Sequence, residues 1–260
     1  MLARPFGYGG GSAQLTVHRL LSDPRAGGRP TATRVHDVIA DALPSLHRPR
    51  ILDAGCGLGG TMLDLAERWD GSAVGLTLSE SQRQAAVRAA AARGMGERVE
   101  VRVQSYDTPP AGPFDLIVAI ESLAHSPDPG QSVAALARVL APGGIFVIVD
   151  DMPRAEAMGS RDLEVFRSGW QAPVVWGHGQ YVSALAGLGV AVVADRDLTN
   201  ESTVRTIPQV ARMERLNRWA YALAPTRWRV VLDSYHGGLA LERLYRRGWM
   251  EYRLLAVRRP

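Results

Sequence analysis

The segment Arg50-Ile-Leu-Asp-Ala-Gly-Cys-Gly-Leu-Gly-Gly60 constrains the fold more than any other stretch of the chain. Ile51 and Leu52 read as the end of a strand and Asp53 follows at once. Gly55, Gly57 and Gly59 then turn the chain into a helix that starts near Thr61. Glycines at this spacing let backbone approach a ligand more closely than any Cβ allows, with helix N–H groups aimed at it. The first strand-to-helix turn of an α/β domain is therefore expected to cradle a cofactor. The same residues satisfy G-x-G-x-x-G, which also serves dinucleotides. A dinucleotide site places an acid about 20 residues further on for the ribose diol. The next strand, Ala73-Val-Gly-Leu-Thr-Leu78, ends without one. Asp53, ahead of the first glycine, suits a ligand carrying a cationic amino acid and does not suit a pyrophosphate.

Around this turn, apolar and helical segments alternate from Pro44 onward. The pattern predicts strands at 50–53, 73–77, 98–103, 114–120 and 144–150, with helices at 60–69, 80–93 and 130–140. Strands this apolar fit a parallel sheet covered on both faces, with the ligand at the strands' carboxyl ends. Residues 1–13 are glycine-rich. Gln14–Leu21 reads as a short helix, Asp23–Pro30 as a loop and Thr31–Leu43 as an amphipathic helix. Further on, a helix at 178–188, a strand near Val190–Arg196, a helical stretch over 204–247 and a last strand at Tyr252–Val257 are expected.

The glycine turn resembles motif I of the class I S-adenosylmethionine-dependent methyltransferases, hydrophobic-hydrophobic-Asp-x-Gly-x-Gly-x-Gly. Val74-Gly-Leu-Thr-Leu-Ser-Glu-Ser-Gln82 is similar to a segment of cyclopropane fatty-acid synthases and tocopherol-type methyltransferases. Ala119-Ile-Glu-Ser-Leu-Ala-His-Ser-Pro-Asp128 resembles the Glu-x-x-x-His loop shared by sterol, sugar, tocopherol and cyclopropane-forming enzymes. The resemblance implies a Rossmann-like, seven-stranded, mostly parallel sheet with helices on both faces. It also implies an N-terminal helical segment over 1–44 covering the active site, a core of 45–198 and 249–260, and a helical cap at 199–248 inserted between the last two strands. For S-adenosyl-L-methionine it implies Asp53, Gly55, Gly57 and Gly59 at the cradle, with Thr77, Leu78 and Gln82 on the ribose side. Gln104, Ser105 and Tyr106 would lie by the adenine, with Asp107 as the alternative acid, and Ala119 and Ile120 by the methionine moiety.

Glu121 and His125 are the candidate catalytic pair, since four residues of helix would place both on one face. The competing readings are an acid that caps a helix or pairs with an N-terminal arginine, and a histidine bonded to backbone. Asp150 and Asp151 follow the fifth strand and are expected to face the same crevice. One caps the next element; the other contacts the acceptor, or holds Mg2+ with Glu121 if the acceptor is a diphosphate. Tyr8, Trp170, Trp176 and Tyr181 are expected to ring the mouth, where aromatic faces would attract positive charge. The competing reading is space-filling. His18, His36 and His47 read as surface residues, while His178 and His236 remain within reach of the pocket. No spacing suggests a metal site. Cys56, the lone cysteine, is expected to pack behind the loop.

Composition closes off other classes. The 260 residues are 46% apolar and 22% charged, and no apolar run is long enough to span a bilayer. The cytoplasm is thus the default compartment. All 30 basic residues are arginine, yet the net charge is only +4, and no basic stripe with aromatics marks a nucleic-acid partner. A homo-oligomer is compatible with this composition. The expected activity is methylation of carbon, oxygen or nitrogen on a small apolar molecule such as a terpenoid, lipid or other secondary metabolite. Alternatives are a member of the fold that binds the cofactor without transferring methyl, such as a cyclase or scaffold, and a cyclopropane-forming lipid enzyme. The last is disfavoured by the lack of an N-terminal cysteine.

Overall fold

The computed structural model describes residues 15–204, 207–223 and 225–260. Strands β1 (Leu21–Asp23) and β2 (Arg29–Thr31) form a small antiparallel hairpin ahead of helix α1 (Arg34–Ala42). Next come β3 (Arg50–Ala54), α2 (Gly60–Arg68), β4 (Ser72–Thr77), α3 (Glu80–Ala92), β5 (Val99–Val103), β6 (Phe114–Ile120), α4 (Pro129–Arg138) and β7 (Leu140–Pro153). Helices α5 (Arg161–Gly169) and α6 (His178–Ala186) lead to β8 (Ala191–Asp197), then α7 (Ile207–Leu223), α8 (Thr226–Arg246) and β9 (Met250–Arg258).

Seven strands form one sheet in the order β5-β4-β3-β6-β7-β9-β8, in which β9 runs antiparallel to both β7 and β8 and the other neighbouring pairs are parallel. This is the mostly parallel Rossmann-like sheet that the sequence suggested. Its residues alternate between two apolar layers. Ile51, Leu116, Val118, Val147 and Leu254 pack with α1, α2, α3 and α8, while Leu52, Ile117, Phe146, Ile148 and Leu255 pack with α4 and α6. Burial on both faces explains why these strands are apolar without alternation. Helix starts follow capping chemistry: Ser79 accepts from the Gln82 N–H, Asp128 from Gln131 and Ser160 from Leu163. Strand order reverses between β3 and β6, so a crevice opens at the carboxyl ends there.

Three expectations need correction. The described part of Gln14–Leu21 is extended and not helical, because its backbone finds tertiary partners. The Leu15 carbonyl accepts from Gly60, the Arg19 N–H donates to Glu121, and the Leu20 carbonyl accepts from Thr203. The stretch 23–30 is also more ordered than a loop, since both β1 and β2 draw on it. The fifth strand of the repeat, β7, runs 140–153 and not 144–150. Leu140 pairs with Phe114 before a bulge, and pairing with β9 carries the strand on to Pro153. Helix α5 was not anticipated; its signal is Ser160 followed by Asp162 and Glu164 in the first turn.

Candidate functional site

A cavity of about 400 Å³ lies at the carboxyl ends of β3, β4, β5 and β6, within the range of small-molecule sites. The glycine turn forms its floor. Gly55 has φ 94°, and a Cβ there would sit 2.5 Å from the Ser122 Cβ. Ser122 in turn donates to the Ala54 carbonyl at 2.6 Å, locking the turn to the loop after β6. Gly55→Ala should therefore cost roughly 1–3 kcal/mol of stability through strain, on top of the clash, read by urea denaturation. Gly57 differs: φ is 53°, but an added Cβ would meet nothing within 4 Å, because the position faces the cavity.

Asp53 supplies the site's electrostatics. It is buried and lines the cavity, it accepts from the Met62 N–H, and its Oδ2 has no partner. Burial pushes its carboxyl up to about 7. A group paying this desolvation with one oxygen unbonded is poised for a cationic ligand. Opposite, the N-terminal strap contributes Leu15, Thr16, Val17 and His18 to the wall. Thr16 Oγ1 and His18 Nε2 are likewise buried without partners. His18 is not the surface residue expected. It packs edge-on against His36, and burial lowers it to about 3, so it is neutral at working pH. Its Nδ1 lies 3.2 Å from the Arg19 carbonyl, which can only accept, so Nε2 carries the lone pair. His36 is also buried, between Asp64 at 2.9 Å and Thr61 at 3.1 Å. His47 is exposed, on a loop.

Asp53, Gly55, Gly57, Thr77, Leu78, Gln82, Gln104, Ser105, Tyr106, Asp107 and Ile120 all line the cavity, with Glu121 and His125. Gly59 and Ala119 adjoin it without forming its wall. Thr77 donates to Gln82 at 2.6 Å, Tyr106 donates to the Ser122 carbonyl at 2.8 Å, and Leu78 presents its side chain largely exposed. Ser105 donates to one oxygen of Asp107 and Ser132 to the other. Cys56 also lines the wall, and burial raises its thiol well above the ordinary range.

Glu121 and His125 do share the cavity, but not on a helical face. Glu121 has φ 49°, which ends β6, and only a short 3-10 turn, Leu123–His125, follows. His125 is exposed and its Nδ1 faces the Gln171 carbonyl at 3.3 Å. Glu121 Oε1 accepts from the Arg19 N–H at 2.7 Å and from the Tyr252 hydroxyl at 2.8 Å. Burial, then the neighbouring Asp151, holds its carboxyl well above the usual range.

Among the described residues, the remaining substrate candidates do not line this cavity. Because β7 continues through them, Asp150 and Asp151 point to opposite faces of the sheet. Asp150 is buried on the side of Tyr106 and Tyr181 and is absent from the cavity wall. Asp151 lies among Arg19 (Nε at 3.3 Å) and Tyr245, whose hydroxyl donates to it. Trp170 donates to the Ser234 carbonyl beside α8, and Tyr181 is buried edge-on to Trp176, 5.3 Å between rings. All three fill space away from the cavity. Tyr8 lies outside the described residues. His178 pairs with Asp195 and His236 stacks near Tyr221, so neither reaches the wall. Among the described residues no group of three His, Cys, Asp or Glu could hold a metal, and no helix is long and apolar enough to cross a membrane.

The sequence reading missed the strap residues Thr16 and His18, and Tyr245 and Tyr252 behind Glu121; it offered an N-terminal arginine as a partner of Glu121 without singling out Arg19. Nothing local marks them: they meet the site only through folding.

Comparison with known proteins agrees with this geometry. Residues 51–144 match the family described as "Methyltransferase domain". The chain is 27% identical to a probable tocopherol O-methyltransferase of Oryza sativa subsp. japonica, over 81% of the chain and 60% of that protein. It is 32% identical to ajmaline N-methyltransferase of Rauvolfia serpentina, over 58% and 55%. The chain thus spans 60% or less of these two relatives' length. In fold it is similar to the [4+2]-cyclase SpnF (TM-score 0.73, 23% identity, 100% and 93% covered). It is equally similar to geranyl diphosphate C-methyltransferase from Streptomyces coelicolor A3(2), solved with Mg2+, geranyl diphosphate and S-adenosyl-L-homocysteine (TM-score 0.73, 20% identity, 100% and 97% covered).

Proposed function

From a chain that carries a methyltransferase domain over residues 51–144 within the class I fold, we propose that the protein transfers the methyl group of S-adenosylmethionine to a small, largely apolar molecule. One observation carries this reading: the buried Asp53 carboxylate keeps an unbonded oxygen at the cavity beside Gly57, whose missing side chain leaves the approach open. The residues present suit this cofactor. Asp53 would hold its ammonium group, while Thr16, Thr61 and the start of α2 would face its carboxylate. Thr77 and Gln82 would hold the ribose, and Leu78 and Tyr106 would flank the adenine.

When bound, the cofactor supplies an electrophilic methyl group on a sulfonium. The chain's own contribution is alignment and exclusion of water. Glu121 then serves as the proton acceptor for the nucleophile, and the elevated affinity of its buried carboxyl for protons suits that task. His125 stands at the exposed rim as a second acceptor. We further propose that the strap of residues 1–44 and the helical insertion 199–248 cover the acceptor side.

Among the described cavity-lining residues none is arginine or lysine.

Incubating the protein with S-adenosylmethionine and fractions of apolar metabolites, then assaying for S-adenosylhomocysteine, tests the reading. Tight cofactor binding without product from any fraction would instead indicate a non-methylating member such as a cyclase or scaffold. Glu121→Gln should leave cofactor affinity unchanged by calorimetry and lower turnover on the order of 10²- to 10⁴-fold. Unchanged turnover would make Glu121 a structural acid.

A further inference from the structure

The helical hairpin of α7 and α8 carries charge and apolar surface in an arrangement that the proposed chemistry does not use. Residues 207–232 contain five arginines and one glutamate, a net +4 that equals the net charge of the whole chain. The remainder is thus balanced, and the excess positive charge lies in this segment of the sequence. The single acid, Glu214, turns inward and pairs with Arg243 of α8. Asn217 also faces inward, donating to the Leu232 carbonyl at 3.2 Å, and Val210 is buried. The opposite face of α7 presents Arg212, Arg215, Leu216 and Trp219, all exposed; Leu216 is 61% and Trp219 74% accessible. Arg229, exposed on α8, lies over the Tyr221 ring of α7 at 5.6 Å.

A tryptophan this exposed is costly in water, and here it sits one helical turn from a leucine, flanked by arginines with no acid on that face. Indole and guanidinium side by side suit the boundary between lipid headgroups and acyl chains: the ring enters the interface and the arginines reach phosphates. We propose that this face of α7 docks the protein on an anionic phospholipid bilayer. The exposed arginines of this face complement the charge of a laterally extended anionic plane. Such docking would bring the cavity to a reservoir of apolar molecules, yet the proposal stands whether or not methyl transfer is the activity.

Co-sedimentation of the full chain with vesicles tests it. Binding is expected to phosphatidylcholine–phosphatidylglycerol vesicles and not to phosphatidylcholine alone, and to weaken as salt rises toward screening. Arg212→Ala/Arg215→Ala should weaken it roughly thirtyfold, and Trp219→Ala should weaken it independently of salt. Because these side chains are exposed, thermal melts of the variants should match the parent. Equal binding to both vesicle types, no binding at low salt, or binding indifferent to both variants overturns the proposal. So does a Trp219-dependent dimer in sedimentation velocity with no vesicle binding, which would assign the face to a second copy of the chain.

Discussion

Asp53→Ala is expected to weaken S-adenosylhomocysteine binding by about 2–5 kcal/mol, since it strips a buried partner from the ligand's ammonium group. That corresponds to roughly 30- to several-thousand-fold in Kd by isothermal titration calorimetry. The pH dependence is the sharper signature. In the free protein burial holds the carboxyl at about 7, so near and below that pH a proton must leave before the cation can bind. Affinity should be constant above that pH and fall about tenfold per unit well below it, with proton release visible as a buffer-dependent enthalpy. Stability has the opposite sign. The folded protein holds this proton more tightly than the unfolded chain, so ionising Asp53 destabilises the free protein as pH rises from the unfolded value through 7. Asp53→Asn should therefore melt no lower than the parent at pH 8 while still failing to bind. A variant that binds normally would remove the basis for the cofactor assignment.

Arg19→Ala is expected to cost about 3–5 kcal/mol of folding stability, the penalty for breaking a buried ion pair by removing one partner. Arg19 is 1% accessible and its Nε lies 3.3 Å from Asp151. Its guanidinium stands 4.3 Å over the Tyr245 ring and its N–H holds Glu121. Five distant parts of the chain meet here: the strap, the loop after β6, β7, α8 and, through Tyr252, β9. Denaturation in guanidinium should show the loss, and Arg19→Ala/Asp151→Asn should recover part of it because the acid of the broken pair is then neutral. The deficit should shrink as pH falls, once the raised Glu121 carboxyl is protonated and ceases to repel Asp151. An additive double variant would show that Arg19 and Asp151 do not share this stabilisation.

Much of the cavity wall was legible in the sequence because each feature there is local. Asp53 and the three glycines lie within seven residues, and Thr77 with Gln82 spans the start of one helix. Strand and turn chemistry at that range leaves few alternatives. The placement of the residues proposed for the acceptor was not legible. Asp150 and Asp151 looked like neighbours facing one crevice, but a strand that continues sends adjacent side chains to opposite faces. Only the pairing of β7 with β9 made it continue. Trp170, Trp176 and Tyr181 looked equally suited to a mouth or a core, since burial depends on which element covers them.

By itself the sequence determined the parallel α/β sheet and the glycine cradle with its acid, because hydrophobic periodicity and the backbone freedom of glycine act over a few residues. The tertiary structure decided which polar groups are buried without partners. It also decided that an extended strap supplies Thr16, His18 and Arg19, and that Glu121 is gripped by Tyr252 from 131 positions away. Such facts depend on desolvation and on contacts between remote segments, and neither exists until the chain has closed on itself.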